Sequence, residues 1–233
     1  MEITRQKFLI AATSALLIPQ VEIAEASSTT ISMLPTSKTR RFAWTIDDGV
    51  SSSAVGKYLD IAEQGDNHLT MFVTSTYASW RHHSKQISRL LDAGKLQLGN
   101  HTVTHKDLTT ISETEIKKEL YGCHKFLLEE FGYDARPYFR PPYGSTNPKV
   151  RAVAAELGYT VQTIWYGSFG DASSFDENRI YDFANKWIAN GRIVIDHSNR
   201  MKSQHLLNQI QGIVKARGLH SVTLTEAFGK NFK

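Results

Sequence analysis

His101 and His105 stand four residues apart in Gly99-Asn100-His101-Thr102-Val103-Thr104-His105, and a pair of carboxylates stands upstream in Thr45-Ile46-Asp47-Asp48-Gly49. Two imidazoles and one carboxylate form a three-ligand set that leaves a zinc-type ion an open position for water, and a second carboxylate remains to act on that water as a base. Spacing alone does not decide which of Asp47 and Asp48 takes which part. A structural zinc site more often closes its shell with cysteines, and Cys123 is the only cysteine in the chain. Taken singly, each half has an ordinary reading. Two histidines at this spacing are commonly solvated, and Asp-Asp-Gly makes a turn in which Asp bonds its own backbone and Gly supplies positive φ. Position favours the chemical reading: residues 41–46 (RFAWTI) read as a buried strand ending at the two Asp, and residues 95–100 (KLQLGN) as a second strand that delivers His101 in the same way.

The elements that must position these residues alternate. Helices expected over 53–64, 80–93, 112–131, 147–157, 177–189 and 203–216 interleave with strands over 41–46, 68–74, 95–100, 159–165, 192–197 and 220–224. That alternation predicts βαβ units and a parallel sheet or barrel of about seven strands. Ser112-Glu113-Thr114-Glu115 is a capping box opening the helix that Gly132 ends. Along it Ile116, Leu120, Cys123, Leu127 and Phe131 share one face, so Cys123 is expected to be buried packing and His124 a boundary residue. His68, His82, His83, His205 and His220 have no partner spacing and read as structural or exposed.

Four segments carry a family resemblance. Thr45-Ile46-Asp47-Asp48-Gly49, His101-Thr102-Val103-Thr104-His105, Arg140-Pro141-Pro142-Tyr143-Gly144 and Ile195-Asp196-His197 resemble, in order and spacing, the motifs of the polysaccharide deacetylases, the NodB-homology or carbohydrate esterase family 4 enzymes. The resemblance extends over roughly residues 40–230. It implies a distorted (β/α) barrel and metal-dependent removal of acetyl groups from N-acetylated, sometimes O-acetylated, sugars. Catalytic residues of such barrels gather at the C-terminal ends of the strands, where all four motifs fall in this reading.

Carried over residue by residue, the resemblance implies Asp48, His101 and His105 as ligands of one divalent metal, zinc by preference with cobalt or nickel as substitutes, and Asp47 as general base. It implies Arg140 as the partner that holds Asp47 ionised, the Tyr143 backbone N–H as an oxyanion donor, and His197 as the general acid. Pro141, Tyr143, Trp165 and Ile195 are the expected substrate contacts. Two departures matter. After Trp165 the family usually has Asp at the third and sixth following positions and Trp at the seventh, whereas this chain has Ser168, Asp171 and Ala172. Asp171 is therefore the candidate to support His197, unless a loop shifts the register. Asp196 stands where an apolar residue is usual, and strand alternation turns it away from His197, toward a basic partner behind the sheet.

With 233 residues, 41% hydrophobic and 21% charged, the chain is an ordinary globular protein of one domain. Residues 1–26 read as an export signal, with Arg5 and Lys7 as a basic start, an apolar stretch over 8–19 too short to span a bilayer comfortably, and Ala24-Glu25-Ala26 as the cleavage site. Residues 27–38 (SSTTISMLPTSK) read as a poorly ordering linker, which leaves 39–233 as the catalytic domain. The region before Ser27 holds two basic and three acidic residues, so the remainder carries a formal charge of +5 against +4 for the whole chain. That balance suits a protein working near an anionic wall polymer. The basic residues are scattered without interleaved aromatics, which argues against nucleic acid.

The expectation is a secreted, monomeric deacetylase without a membrane span in its mature form, acting on N-acetylated sugars of peptidoglycan. Chitooligosaccharides and acetylxylan are the alternative substrates. An inactive sugar-binding protein on the same fold is the rival from another class.

Overall fold

Arg41–Asp48 forms the central strand β2, and seven of its eight residues are buried, as in parallel strands covered on both faces. The computed structural model describes residues 28–229 and Phe232, so the export-signal reading of residues 1–26 lies outside the described residues. Around β2 the order is β1 (Thr29–Ile31), β2, α1 (Ser52–Gln64), β3 (Leu69–Val73), α2 (Ser79–His82), α3 (Ser84–Asp92), β4 (Leu96–Asn100) and α4 (Glu113–Phe131). The chain continues with β5 (Tyr138–Phe139), α5 (Pro148–Glu156), β6 (Val161–Thr163), β7 (Gly167–Ser168), α6 (Glu177–Trp187), β8 (Ile193–His197), α7 (Leu207–Ala216), β9 (His220–Ser221) and α8 (Leu224–Phe228). The sheet runs β1-β6-β5-β4-β3-β2-β8-β7, all parallel, with β9 beside the start of β2.

This is the expected distorted (β/α) barrel. It has nine strands where about seven were expected, because β1, β5 and β7 are three residues or fewer and carry no readable period. Register places the site: Asp48 lies beside Val73, Val73 beside Asn100, Asn100 beside Phe139, and Asp47 beside His197. The carboxylates, His101, Arg140 and His197 thus leave the sheet at the C-terminal ends of neighbouring strands.

Within the expected linker over 27–38, Thr29 to Leu34 is built into the sheet instead. Thr29–Ile31 pairs with β6, Ile164 N–H donates to Ile31 O, Leu34 N–H donates to Gly191 O, and Met33 bridges Arg192 at the start of β8. Ile31 and Leu34 are buried. The segment therefore bridges β6 and β8 and belongs to the barrel. Its main chain supplies the pairing, so its polar Ser/Thr side chains gave no strand signal.

Two helices also differ from expectation. The one expected over 80–93 is broken at His83 (φ −101°, ψ 13°), whose ring is engaged by Ser52 Oγ and O on α1. The last strand stops at Ser221, because Thr223 and Glu226 form a capping box that opens α8. Helix α4 has the expected capping box at Ser112 and Glu115 and a left-handed Gly132 at its end (φ 61°). Cys123 is buried on its inner face, its thiol donates to Val73 O, and burial pushes its pKa up to about 12. Among the described residues no helix is long and apolar enough to cross a membrane.

Candidate active site

Asp47 and Asp48 end β2 with side chains turned into a cavity of about 190 Å³ that His101, His105, Tyr143, Trp165, Ile195 and His197 also line. Asp48 Oδ1 lies 3.3 Å from His101 Nε2 and 3.2 Å from His105 Nε2, and one ligand atom from each of the three residues lies within 4.8 Å of the others. Oδ1 is buried and has no hydrogen-bond partner among the described residues. An orphaned carboxylate oxygen facing two imidazole nitrogens is a donor set suited to a divalent cation. Burial raises the Asp48 pKa, but the close approach of His101, with His105 beside it, outweighs burial and holds the carboxyl well below its usual range. Burial and the neighbouring His101 draw the His105 pKa down, which favours the neutral imidazole that ligation needs.

The surroundings fix these side chains. His101 Nδ1 donates to Arg140 O at 2.6 Å, so its Nε2 faces Asp48. The turn between the two histidines is held by Glu119 of α4, which accepts from Val103 N–H, Thr104 N–H and the Thr104 hydroxyl. Asn100 accepts from Thr102 N–H, and Thr102 Oγ1 accepts from His105 N–H. Thr102 and His105 both have positive φ (71° and 60°), as do Asp48 and Tyr143 (76° and 61°). Among the described residues these four are the non-glycine positions in that region, and all lie in the site loops.

Asp47 is 2% exposed and accepts from Arg140 Nη1 at 2.6 Å. Arg140 is wholly buried, donates through Nε to Thr163 O at 3.0 Å, and lies over the Phe72 ring at 4.2 Å. Opposite, His197 Nδ1 is 2.9 Å from Asp171 Oδ1, and the His197 N–H donates to Asp171 Oδ2 at 2.9 Å. Burial opposes the imidazolium, but the hydrogen bond and charge of Asp171, with Asp47 and Asp48 beyond, raise the His197 pKa to about 9.

Residues 35–162 match the family model described as polysaccharide deacetylase. The chain belongs to the polysaccharide deacetylase family. It is 27% identical over 208 residues to the peptidoglycan-N-acetylglucosamine deacetylase of Listeria monocytogenes, covering 89% of this chain and 43% of that one. The chain spans only 43% to 65% of the length of the first curated relatives it matches. In fold it is similar to the Bc1960 peptidoglycan N-acetylglucosamine deacetylase, with TM-score 0.75, 24% identity, and coverage of 88% of this chain and 94% of that one. It is similar also to a family 4 pseudoenzyme of Bacillus anthracis, with TM-score 0.74, 20% identity, and coverage of 86% and 69%.

The segment after Trp165 departs from the polysaccharide deacetylase pattern at Ser168 and Ala172. Ser168 Oγ accepts from Gly170 N–H and Gly170 adopts φ 73°, which reverses the chain and brings Asp171 back onto His197. Ala172 is exposed at the cavity wall. Trp165 lies 5.7 Å from the Arg140 guanidinium, and Tyr143, 68% exposed, packs edge-on to His105 at 4.6 Å. Pro141 is buried outside the cavity lining, and its carbonyl accepts from Gly144 N–H to close the Tyr143 turn. Asp196 turns behind the sheet as expected, but to hydroxyls: it accepts from Tyr58 and Ser203, with no basic partner among the described residues. Burial and the charge of Asp171 push its pKa well above the usual carboxylate range.

Three residues of this site escaped sequence reasoning. Glu119 left a trace, since it is an acid beside Ile116, Leu120 and Cys123 on the buried stripe of α4. Asn100 and Asn199 left none. Asn199 lines the cavity and its Nδ2 donates to Asp48 Oδ2 at 2.5 Å.

Proposed function

We propose that this chain is a secreted, metal-dependent deacetylase that removes N-acetyl groups from amino sugars of peptidoglycan, working as a monomer. The observation that carries the reading is convergence: an Asp-His-His donor set faces one small cavity that Asp47, backed by Arg140, and His197, backed by Asp171, also line. Peptidoglycan is favoured by the named activity of the Listeria relative, and secretion by the pattern of residues 1–26. Asp48, His101 and His105 would hold one divalent ion, zinc before cobalt or nickel. When bound, such an ion supplies Lewis-acid polarisation of a carbonyl and acidifies water.

The remaining chemistry belongs to the chain. Asp47, fixed by Arg140, takes the proton of the attacking water, which adds to the acetamide carbon. The Tyr143 N–H donates to the carbonyl oxygen as negative charge develops there. His197, kept protonated by Asp171, gives its proton to the nitrogen as the C–N bond breaks, so the products are acetate and a free amine. Trp165, Ile195 and the Tyr143 turn bound the space for the acetyl group, and Pro141 holds that turn.

Acetate release from peptidoglycan, chitooligosaccharides and acetylxylan tests the reading. Peptidoglycan is expected to be the best substrate, with release abolished by chelator and restored by zinc. Release from acetylxylan alone would make the protein an esterase, and zinc binding with no release from any of the three would make it a sugar-binding protein.

A further inference from the structure

The segment after β8 is fastened to the turn after β2 by main-chain bonds. Ser198 N–H and its hydroxyl both donate to Asp47 O, at 3.0 and 2.9 Å, and Ser51 N–H donates to Ser198 O at 2.9 Å. Asn199 is thereby held level with Asp48 independently of its own side chain. Its amide then divides the work of the Asp48 carboxylate. Oδ2 accepts from Asn199 Nδ2, while Oδ1 is left bare toward His101 and His105. Turning the amide over would set two acceptor oxygens together with no proton between them, so the chemistry fixes which atom faces Asp48.

Two further features support a task beyond packing. The amide is neutral, so it orients Asp48 without adding a positive charge that would compete with a cation for the carboxylate. Its own Oδ1 is buried without a partner among the described residues, an unfavourable arrangement that an apolar residue in the same place would avoid.

We infer that Asn199 is a positioning residue that presents Asp48 to the divalent ion through one oxygen; this rests on the metal assignment of Asp48, His101 and His105 proposed above. The test is the zinc dissociation constant of the ion-free full chain, by competition with a chromogenic chelator, for wild type, Asn199→Ala and Asp48→Asn. Thermal unfolding in chelator and the visible spectrum of the cobalt-loaded protein accompany it. Asn199→Ala is expected to weaken zinc binding about 10- to 100-fold, to change the cobalt bands, and to leave ion-free unfolding where it was. Asp48→Asn is expected to weaken binding further. Wild-type zinc affinity in Asn199→Ala, with Asp48→Asn still defective, would overturn the inference and leave the metal assignment standing. A loss of affinity matched by a loss of ion-free stability would overturn it in favour of a structural role, and wild-type affinity in Asp48→Asn would overturn both readings together.

Discussion

The side chains of Asp47, Asp48 and His101 are 3%, 7% and 2% exposed and Arg140 is sealed, with His105 at the rim at 20%, whereas on the opposite wall the His197 side chain is 17% exposed and its partner Asp171 hangs from a loop whose next five residues are all exposed. The first wall lies within the residues matched by the family model, and the second lies beyond them. The first wall is fixed by an Arg–Asp pair, by Glu119 and Asn100, and by four strained backbone positions. The loop of the second is held by Lys202, whose ammonium donates to Ser173 O and Phe175 O, and by contact between the Phe175 and Phe183 rings. The contrast fits the two tasks proposed for these walls. Holding a cation needs donors frozen in place before it arrives, while handing a proton to a departing amine needs access and a tuned pKa. Damage to the first wall should therefore appear as lost turnover and lost stability, and damage to the second as a displaced pH profile.

The largest effect is expected at Asp47. Asp47→Asn should lower turnover about 10²- to 10⁴-fold with zinc content unchanged, measured by acetate release beside elemental analysis. Loss of the metal in Asp47→Asn, with the metal kept in Asp48→Asn, would reverse the two roles.

Arg140 comes next. Arg140→Met leaves Asp47 as a buried charge without its partner, which should cost about 3–5 kcal/mol of stability in urea unfolding of the ion-free chain. A cost below about 1 kcal/mol, the range of exposed pairs, would mean that the first wall is less rigidly built than the comparison holds.

The smallest effect sharpens the second wall. In its proposed role as general acid His197 acts while protonated, so the rate should fall as pH rises through its pKa of about 9. Asp171→Asn removes the charge that opposes the burial penalty, so the alkaline limb should move down by about one pH unit or more. An unchanged limb, with His197→Ala inactive, would mean that another group tunes His197. The same sign governs stability. The His197 pKa is raised above its ordinary 6.5, so its contribution is complete below about 6.5 and is lost as pH rises through about 9.

Much of the first wall was legible because its residues sit where strand patterns end, and a parallel barrel brings strand ends together. The α4 capping box and the burial of Cys123 were legible for a similar reason, since both are local or periodic. The second wall was harder. Asp171 reaches His197 only because Ser168 and Gly170 reverse the chain, and a single sequence does not display that geometry. Asn199 depends on main-chain bonds between segments about 150 residues apart. The Thr29–Ile31 strand pairs through its backbone, and the Asp196 carboxylate found hydroxyls on Tyr58 and Ser203 where charge pairing was the simpler guess.

The claim that joins both walls is that Asp48, His101 and His105 hold one divalent ion at the centre of the cavity. Elemental analysis of purified wild type and of the His101→Ala, His105→Ala double variant tests it most directly. About one zinc per wild-type chain is expected, as a site with three protein ligands would hold, and none in the double variant. Stoichiometric metal retained in the double variant would contradict it.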